Sequence, residues 1–351
     1  MKLVAGENYA QSESTTSLGF DVLASALDAE RRRLSIPGAV VHLSTPELGS
    51  WTQSFGVADI ETSTPMTNDS IMRVGSVTKM IVATIALQLV EAGGFHLDDT
   101  VHSILPELSI DPAVTVKQLL NMTSGLPDYT SDEFVDALLA APSRVWTPEG
   151  LLEVAFESEQ HFAAGTAFEY CNTNYIILGV LIEHLTGTDI ADIAQTTIFG
   201  PLGMNSTALP PLTDKATKLG SADLRGYHRH NDEFIDATDV NPSWAWTAGN
   251  AVSTADDLSV FVGALVRGDL LTASLQRERL RSVPVIDNVH YGLGIADFDG
   301  MWGHNGELPG FQSFAGHDPT TSTTLVVLTN VDDKSADQLA TFLRSQLDSP
   351  H

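Results

Sequence analysis

Cysteine is almost missing from this chain. A single Cys171 among 351 residues excludes any disulfide within it. That leaves the compartment open, because large extracytoplasmic enzymes need no disulfide. Basic residues are scarce too: 18 Lys and Arg face 45 Asp and Glu, a formal net charge of −27. Such a surface repels phosphate backbones and anionic bilayers, so nucleic acid and acidic membranes are excluded as partners. It favours solubility, including at high salt, and says nothing about fold. No apolar run is long enough to span a bilayer. Residues 1–20 lack the apolar core of a signal peptide, which predicts a cytoplasmic protein, or a secreted one if a signal has been removed. No His-Glu-x-x-His, Cys pair or phosphate-binding glycine loop occurs, so no metal and no cofactor is expected. His228-Arg229-His230 with Asp232 offers metal-ligand types, but in a polar loop where solvation is the simpler reading. Repeats and low-complexity segments are absent as well. The expected partner is a small-molecule or peptide substrate, and nothing sets the oligomeric state.

What is present suits a globular chain. Hydrophobic content of 43% and charged content of 18% allow a sizeable core. The length fits one large domain or two interlocked ones. Residues 1–16 read as a lead-in. Phe20, Leu23, Ala24, Leu27 and Leu34 recur at helical spacing, which predicts a helix over 18–33. Residues 39–43 then read as a buried strand and 51–58 as its hairpin partner. From residue 76 to about 207 the pattern is mostly helical. Helices are expected over 76–92, 114–122, 132–140, 148–157, 173–187 and 189–198, parted by Gly and Pro punctuators. The stretch 209–239 is polar and mixed. A helix over 258–266 follows, then strands near 292–296, 312–316 and 323–328, and a last amphipathic helix over 335–347. The simplest fold joining these is α/β in the α+β sense. Both chain ends build an antiparallel sheet flanked by the terminal helices, with an all-helical domain inserted. By residue number, 17–70 and 226–349 form the α/β domain and 71–225 the mostly helical one, with a site between them.

Three stretches carry chemistry. Ser76 opens the apolar run that ends at Gly93-Gly94, and Lys79 follows one helical turn later. A serine hydroxyl needs a neighbouring base, and a lysine serves once burial lowers its pKa. The helix start adds unpaired N–H groups that favour a developing oxyanion. An N-cap serine beside a solvated lysine would read the same from these four residues alone. Tyr170 and Asn172 sit at a loop-to-helix junction, where a phenol with a lowered pKa is a base and an amide can hold a carbonyl and the lysine. A core tyrosine and an N-cap asparagine fit equally well. His304, with Asn305, Gly306 and Glu307, lies between short strands, where it can donate to, or relay a proton from, the phenol. An ordinary strand-edge turn is the plain alternative.

Taken together, Val74-Gly75-Ser76-Val77-Thr78-Lys79, Tyr170-Cys171-Asn172 and His304-Asn305-Gly306 stand in the order and spacing of the penicillin-recognising serine hydrolases. The chain resembles the branch holding class C β-lactamases, D-alanyl-D-alanine carboxypeptidases, D-aminopeptidases, D-amino-acid amidases and β-lactamase-fold esterases. Thr123-Ser124-Gly125-Leu126, Gly200-Pro201-Leu202-Gly203-Met204 and Tyr291-Gly292-Leu293-Gly294 share the likeness, which spans about residues 20–345. It implies the β-lactamase/DD-peptidase-like fold. It also implies Ser76 as acylated nucleophile, with Lys79 and Tyr170 sharing the base role and Asn172 orienting substrate. His304 stands where many relatives carry a lysine. The N–H groups of Ser76 and Glu307 would form the oxyanion hole, and Trp244 or Trp246 would wall the cleft. Cys171 departs from the pattern and reads as a packing variant.

The resemblance implies a serine hydrolase acting through an acyl-enzyme on amide bonds. The departures select among substrates. No Lys or Arg occurs from 282 to 333, and Glu307 follows the third motif. A free carboxylate would be repelled and a substrate ammonium favoured, which points to D-amino-acid amides or D-residue peptides rather than D-Ala-D-Ala carboxypeptidase or β-lactamase substrates. A carboxylesterase or acyltransferase of small-molecule metabolism would use the same residues. A non-catalytic binder is disfavoured because every catalytic side chain is present.

Overall fold

The computed structural model describes residues 10–213, 224–231 and 233–347. Its frame is a nine-stranded antiparallel sheet. In spatial order the strands are Thr64–Pro65, Gly49–Asp59, Gly38–Thr45, Thr323–Thr329, Phe311–Asp318, Met301–Leu308, Ala296–Phe298, Val289–Tyr291 and Val283–Ile286. The chain's first strand lies between its hairpin partner and its last strand, with Ala39 opposite Thr329 and Leu43 opposite Leu325.

Alternation along the strands sorts the side chains into two layers. Ala39, Val41, Leu43, Leu325 and Val327 point to one face, where Leu23 and Leu27 of the first helix and Leu339 and Leu343 of the last cover them. Val40, Val326 and Leu328 point to the other face, into a core continuous with the helical block. At the middle of that core lies helix Thr78–Glu91, buried at every position from Thr78 to Leu87. Its sequence is apolar all round, as a helix enclosed on all sides must be. Helix Thr173–Thr186 packs beside it and is buried from Thr173 to Gly179. No helix among the described residues is long and apolar enough to cross a membrane.

Several elements differ from the sequence expectation. The first helix spans Ala10–Arg33, so part of the supposed lead-in is helical; residues 1–9 lie outside the described residues. Gly292 to Ile295 form the turn between two short strands, and only Ala296 of the expected strand 292–296 is in one. Gly294 turns there with φ +71, and an added Cβ would come within 2.2 Å of Ala83 on the buried helix. The apolar residues that looked like a strand are instead packed as a tight turn. His304 is not in a turn between strands: Met301–Leu308 is one eight-residue strand. The helix expected over 189–198 ends at Ala194 and passes into a π-turn, Gln195–Phe199.

Candidate active site

Ser76 sits in the single 3₁₀ turn Gly75–Val77 that leads into helix Thr78–Glu91. This turn rests on strand Met301–Leu308 with no side chain between them. Gly75 has φ +53, and a Cβ on it would lie 2.4 Å from the Glu307 nitrogen. A Cβ on Gly306 would lie 2.0 Å from the Val74 carbonyl oxygen and 2.8 Å from the Ser76 nitrogen. The Ser313 hydroxyl donates to the Val74 carbonyl at 2.7 Å and fastens the two segments. The two glycines therefore bring the amides of Ser76 and Glu307 close together.

Lys79 is fully buried behind Ser76. Its Nζ lies 2.9 Å from Ser76 Oγ, 2.8 Å from Asn172 Oδ1 and 2.7 Å from the Ala248 carbonyl oxygen. Two of these partners, an amide oxygen and a carbonyl oxygen, can only accept. A neutral amine has two N–H bonds and one lone pair. Its N–H bonds are committed to Asn172 and Ala248, so the lone pair faces Ser76. Burial pushes the Lys79 pKa down to about 7, against the attraction of the Asp128 carboxylate. The neutral base is thus substantially populated at neutral pH.

Tyr170 stands on the other side. The Lys79 ammonium position is 4.9 Å from its ring centre. The residue is 36% exposed, yet loss of water around the hydroxyl raises the phenol pKa, with a hydrogen bond to Ser76 pulling it back. The expectation that nearby cations lower this pKa is corrected: dehydration raises it, and the group stays a phenol. Cys171 is buried, with its thiol pushed up to about 12 by burial. It donates to the Leu126 carbonyl at 3.3 Å.

His304 does not partner the Tyr170 phenol. Its Nδ1 contacts its neighbour's carbonyl, that of Asn305, and its Nε2 lies 3.1 Å from Tyr291 Oη. The ring centres of His304 and Tyr170 are 6.0 Å apart. Burial, then the Lys79 charge, lowers the His304 pKa to about 3. Both effects favour the neutral imidazole. Strand alternation moves its neighbours out of the site. Asn305 reaches to the opposite face, where its Nδ2 donates to Asp337 at 3.1 Å. The Glu307 side chain faces that side too: Gln312 donates to it at 3.3 Å, and its pKa is raised by burial and by Asp332 and Asp337. Only the backbone of Glu307 meets Ser76. Glu307 nonetheless lines the cavity at Ser76, with its carboxylate held by Gln312.

Trp244 and Trp246 part company. Trp244 lines a cavity of about 170 Å³ at Ser76, with Tyr129, Phe134, Val135, Leu138 and Leu308. Trp246 packs against Gly179 in the core and lines a different cavity. A larger, open cavity of about 580 Å³ beside His42 and Asp256 contains none of these groups. His228 pairs with Asp332 at 3.0 Å; Asp232 lies outside the described residues. Among the described residues no group of three or more His, Cys, Asp or Glu is placed to hold a metal.

Sequence reading missed two participants. Asp128 Oδ2 accepts from the Asn172 amide nitrogens, backbone at 3.0 Å and side chain at 3.1 Å. This turns the Asn172 oxygen toward Lys79. An acid directly after Ser124-Gly125-Leu126-Pro127 was the only signal. Tyr291 was noticed only as part of a glycine-rich stretch, and its register opposite Ala296 gave no hint of His304.

Comparison with known proteins fits this geometry. A D-stereospecific amidohydrolase from Streptomyces sp. superimposes with a TM-score of 0.78 at 32% identity, covering 87% of this chain and 93% of that one. The D-amino acid amidase of Ochrobactrum anthropi SV3 gives 0.80 at 25%, covering 92% and 96%. A D-aminopeptidase of Brucella anthropi is 30% identical over 79% of this chain, which spans 52% of that protein's length. Residues 23–348 match the family described as Beta-lactamase. Matched over nearly its whole length, the chain belongs to the Beta-lactamase family.

Proposed function

We propose that this protein is a serine hydrolase that cleaves amide bonds through an acyl-enzyme on Ser76, with D-amino-acid amides or peptides beginning in a D-residue as substrates. The observation that carries the reading is the Lys79 amine, whose two N–H bonds are taken by Asn172 and Ala248 so that its lone pair faces Ser76 Oγ. Lys79 takes the Ser76 proton as Oγ bonds to the substrate carbonyl carbon. The oxyanion lies at the N–H groups of Ser76 and Glu307. Tyr170, held as a phenol, gives its proton to the leaving nitrogen and regains one from the Lys79 ammonium. The amine departs, water repeats the attack on the ester, and the acid leaves.

Substrate charge follows from what surrounds the cavity. None of its lining residues is Lys or Arg. Arg73 is buried and donates to the Thr238 carbonyl, and Arg144 stacks on Trp146 at 3.7 Å. A free carboxylate beside the scissile bond finds no partner. The acid whose charge reaches Lys79 is Asp128; together with Glu307, which lines the cavity, it favours a substrate ammonium. The names of the amidohydrolase, amidase and D-aminopeptidase relatives agree with this reading. The apolar lining also suits neutral acyl groups, which supports a carboxylesterase as the second reading. The test is kcat/KM on a D-amino-acid amide, its L-isomer, a p-nitrophenyl ester, a D-Ala-D-Ala peptide and that peptide's C-terminal amide. Preference for the D-amide is expected. Turnover of esters alone would give the esterase, and preference for the free peptide acid would overturn the charge argument.

A further inference from the structure

Relatives with a lysine in the third motif bring a second cation to the site; this chain brings an imidazole whose two nitrogens are both used. The Asn305 carbonyl only accepts, so His304 Nδ1 carries the hydrogen. In the neutral ring Nε2 is then a lone pair, and Tyr291 Oη at 3.1 Å donates to it. Both residues are buried. The charged and titratable groups that face them come from every element around. Lys79 belongs to the nucleophile helix and acts directly on His304. Tyr170 lies on the loop, with ring centres 6.0 Å from His304 and 6.2 Å from Tyr291. Tyr175 of helix Thr173–Thr186 interacts with Tyr291, and the buried Arg279 acts on Tyr175. Of these groups Lys79 is the one whose charge acts on His304; it and burial oppose protonation more strongly than the Asn305 carbonyl favours it.

We propose that Tyr291 is a positioning residue that fixes His304 as a neutral Nδ1–H tautomer, and that this pair sets the charge preference of the cleft by adding no cation to it. A substrate ammonium is admitted and a substrate carboxylate gains nothing. The inference rests on the acyl-enzyme reading above, but not on the amide specificity.

The hydrogen bond from Tyr291 to the lone pair favours the neutral ring, so its removal raises the His304 pKa. The test uses ¹⁵N-labelled enzyme and three p-nitrophenyl esters, one with a trimethylammonium group, one uncharged and one with a carboxylate. In the wild-type enzyme the His304 resonances, assigned by their loss in His304→Gln, should show a bare Nε2 unchanged from pH 5 to 8. Tyr291→Phe should bring a His304 titration toward that window. The cation-to-anion ratio of kcat/KM should be retained in His304→Gln. In His304→Lys it should fall about 10²–10⁴-fold, since one charge roughly 6–12 Å away at an effective dielectric of about 20 acts with opposite sign on the two charged esters. A wild-type His304 that titrates between pH 5 and 8 overturns the proposal. So does a ratio that Gln and Lys change equally, since that is what a purely packing role predicts. The esters carry the test even if no amide is cleaved. Failure of the amide reading is therefore distinguishable from failure of this one.

Discussion

Among individual residues, the buried lysine dictates the most. Its amine must be neutral to accept the Ser76 proton, and burial lowers its pKa to about 7. The acidic limb of kcat/KM is therefore expected near pH 7, well below the ordinary lysine range. A limb below pH 5 would show that another group is the base. Ser76→Ala should abolish turnover with circular dichroism unchanged, and Tyr170→Phe should slow acylation by about 10²–10⁴-fold. Asp128→Asn should weaken amine-bearing substrates more than neutral esters, because one charge is lost while an amide can still hold Asn172. Equal loss on both would limit Asp128 to orienting that side chain. Ser76, Lys79, Tyr170 and His304 were all legible in the sequence as motif members, since the helix start and the one-turn spacing of the first pair are local features. Their protonation states were not. Those depend on burial and on partners from other segments, such as the Ala248 carbonyl and Tyr175 ring at Lys79 and Tyr291 at His304.

At the level of elements, two contacts decide function. The first is the glycine contact between the turn at Gly75 and the strand at Gly306. An alanine at 306 would drive its Cβ into the Val74 carbonyl and part the two amides. Gly306→Ala is expected to lower kcat by roughly 10²–10³, the cost of an oxyanion donor, with Tm changed far less. A normal kcat would remove those amides from the mechanism. The second is helix Asp132–Ala140, whose Phe134, Val135 and Leu138 line the cavity. A space of about 170 Å³ compares with the roughly 150 Å³ apolar cavity that holds benzene. Leu138→Asp should therefore depress turnover of a D-phenylalanine amide more than of a D-alanine amide; equal depression would mean the side chain lies elsewhere. The helix was readable from its period, and its capping serine, Ser131, marks its start. Which of Trp244 and Trp246 faces the cavity was not readable. The short helices there leave no period to follow, and Trp246 turns inward with φ +30. Strand alternation is readable in principle, but the eight-residue strand holding His304 contains three polar residues and two glycines, so neither face showed as apolar.

For the whole molecule, charge and buried histidines set the response to solution conditions. A net charge of −27 repels itself, and added salt screens that repulsion as the Debye length shrinks from about 10 Å at 0.1 M to about 3 Å at 1 M. Tm is expected to rise with NaCl at pH 7; a flat or falling Tm would show that the acids are locally compensated. His304, His42 and His317 all have pKa values lowered mainly by burial. Below about pH 6.5 the unfolded chain binds more protons than the folded one, so stability falls as pH drops through that range. His304→Gln should flatten this slope. Lys79 acts with the same sign at higher pH, adding stability as pH rises from about 7 toward the ordinary lysine value.

The pairing of first and last strands has a consequence in time. The Ser76 amide leaves the ribosome roughly 230 residues before the Glu307 amide that faces it. At about 5–20 residues per second that interval is on the order of ten to fifty seconds. Throughout it the apolar nucleophile helix has no sheet to lie against, because strand Gly38–Thr45 still lacks Thr323–Thr329. Synthesis thus holds an aggregation-prone segment open until its final stretch emerges, and slower growth temperatures or a holding chaperone should raise the soluble yield. A chain cut after Pro319 carries Ser76, Lys79, Tyr170 and His304 yet lacks that last strand. It should be born with every catalytic side chain and take up no fluorophosphonate.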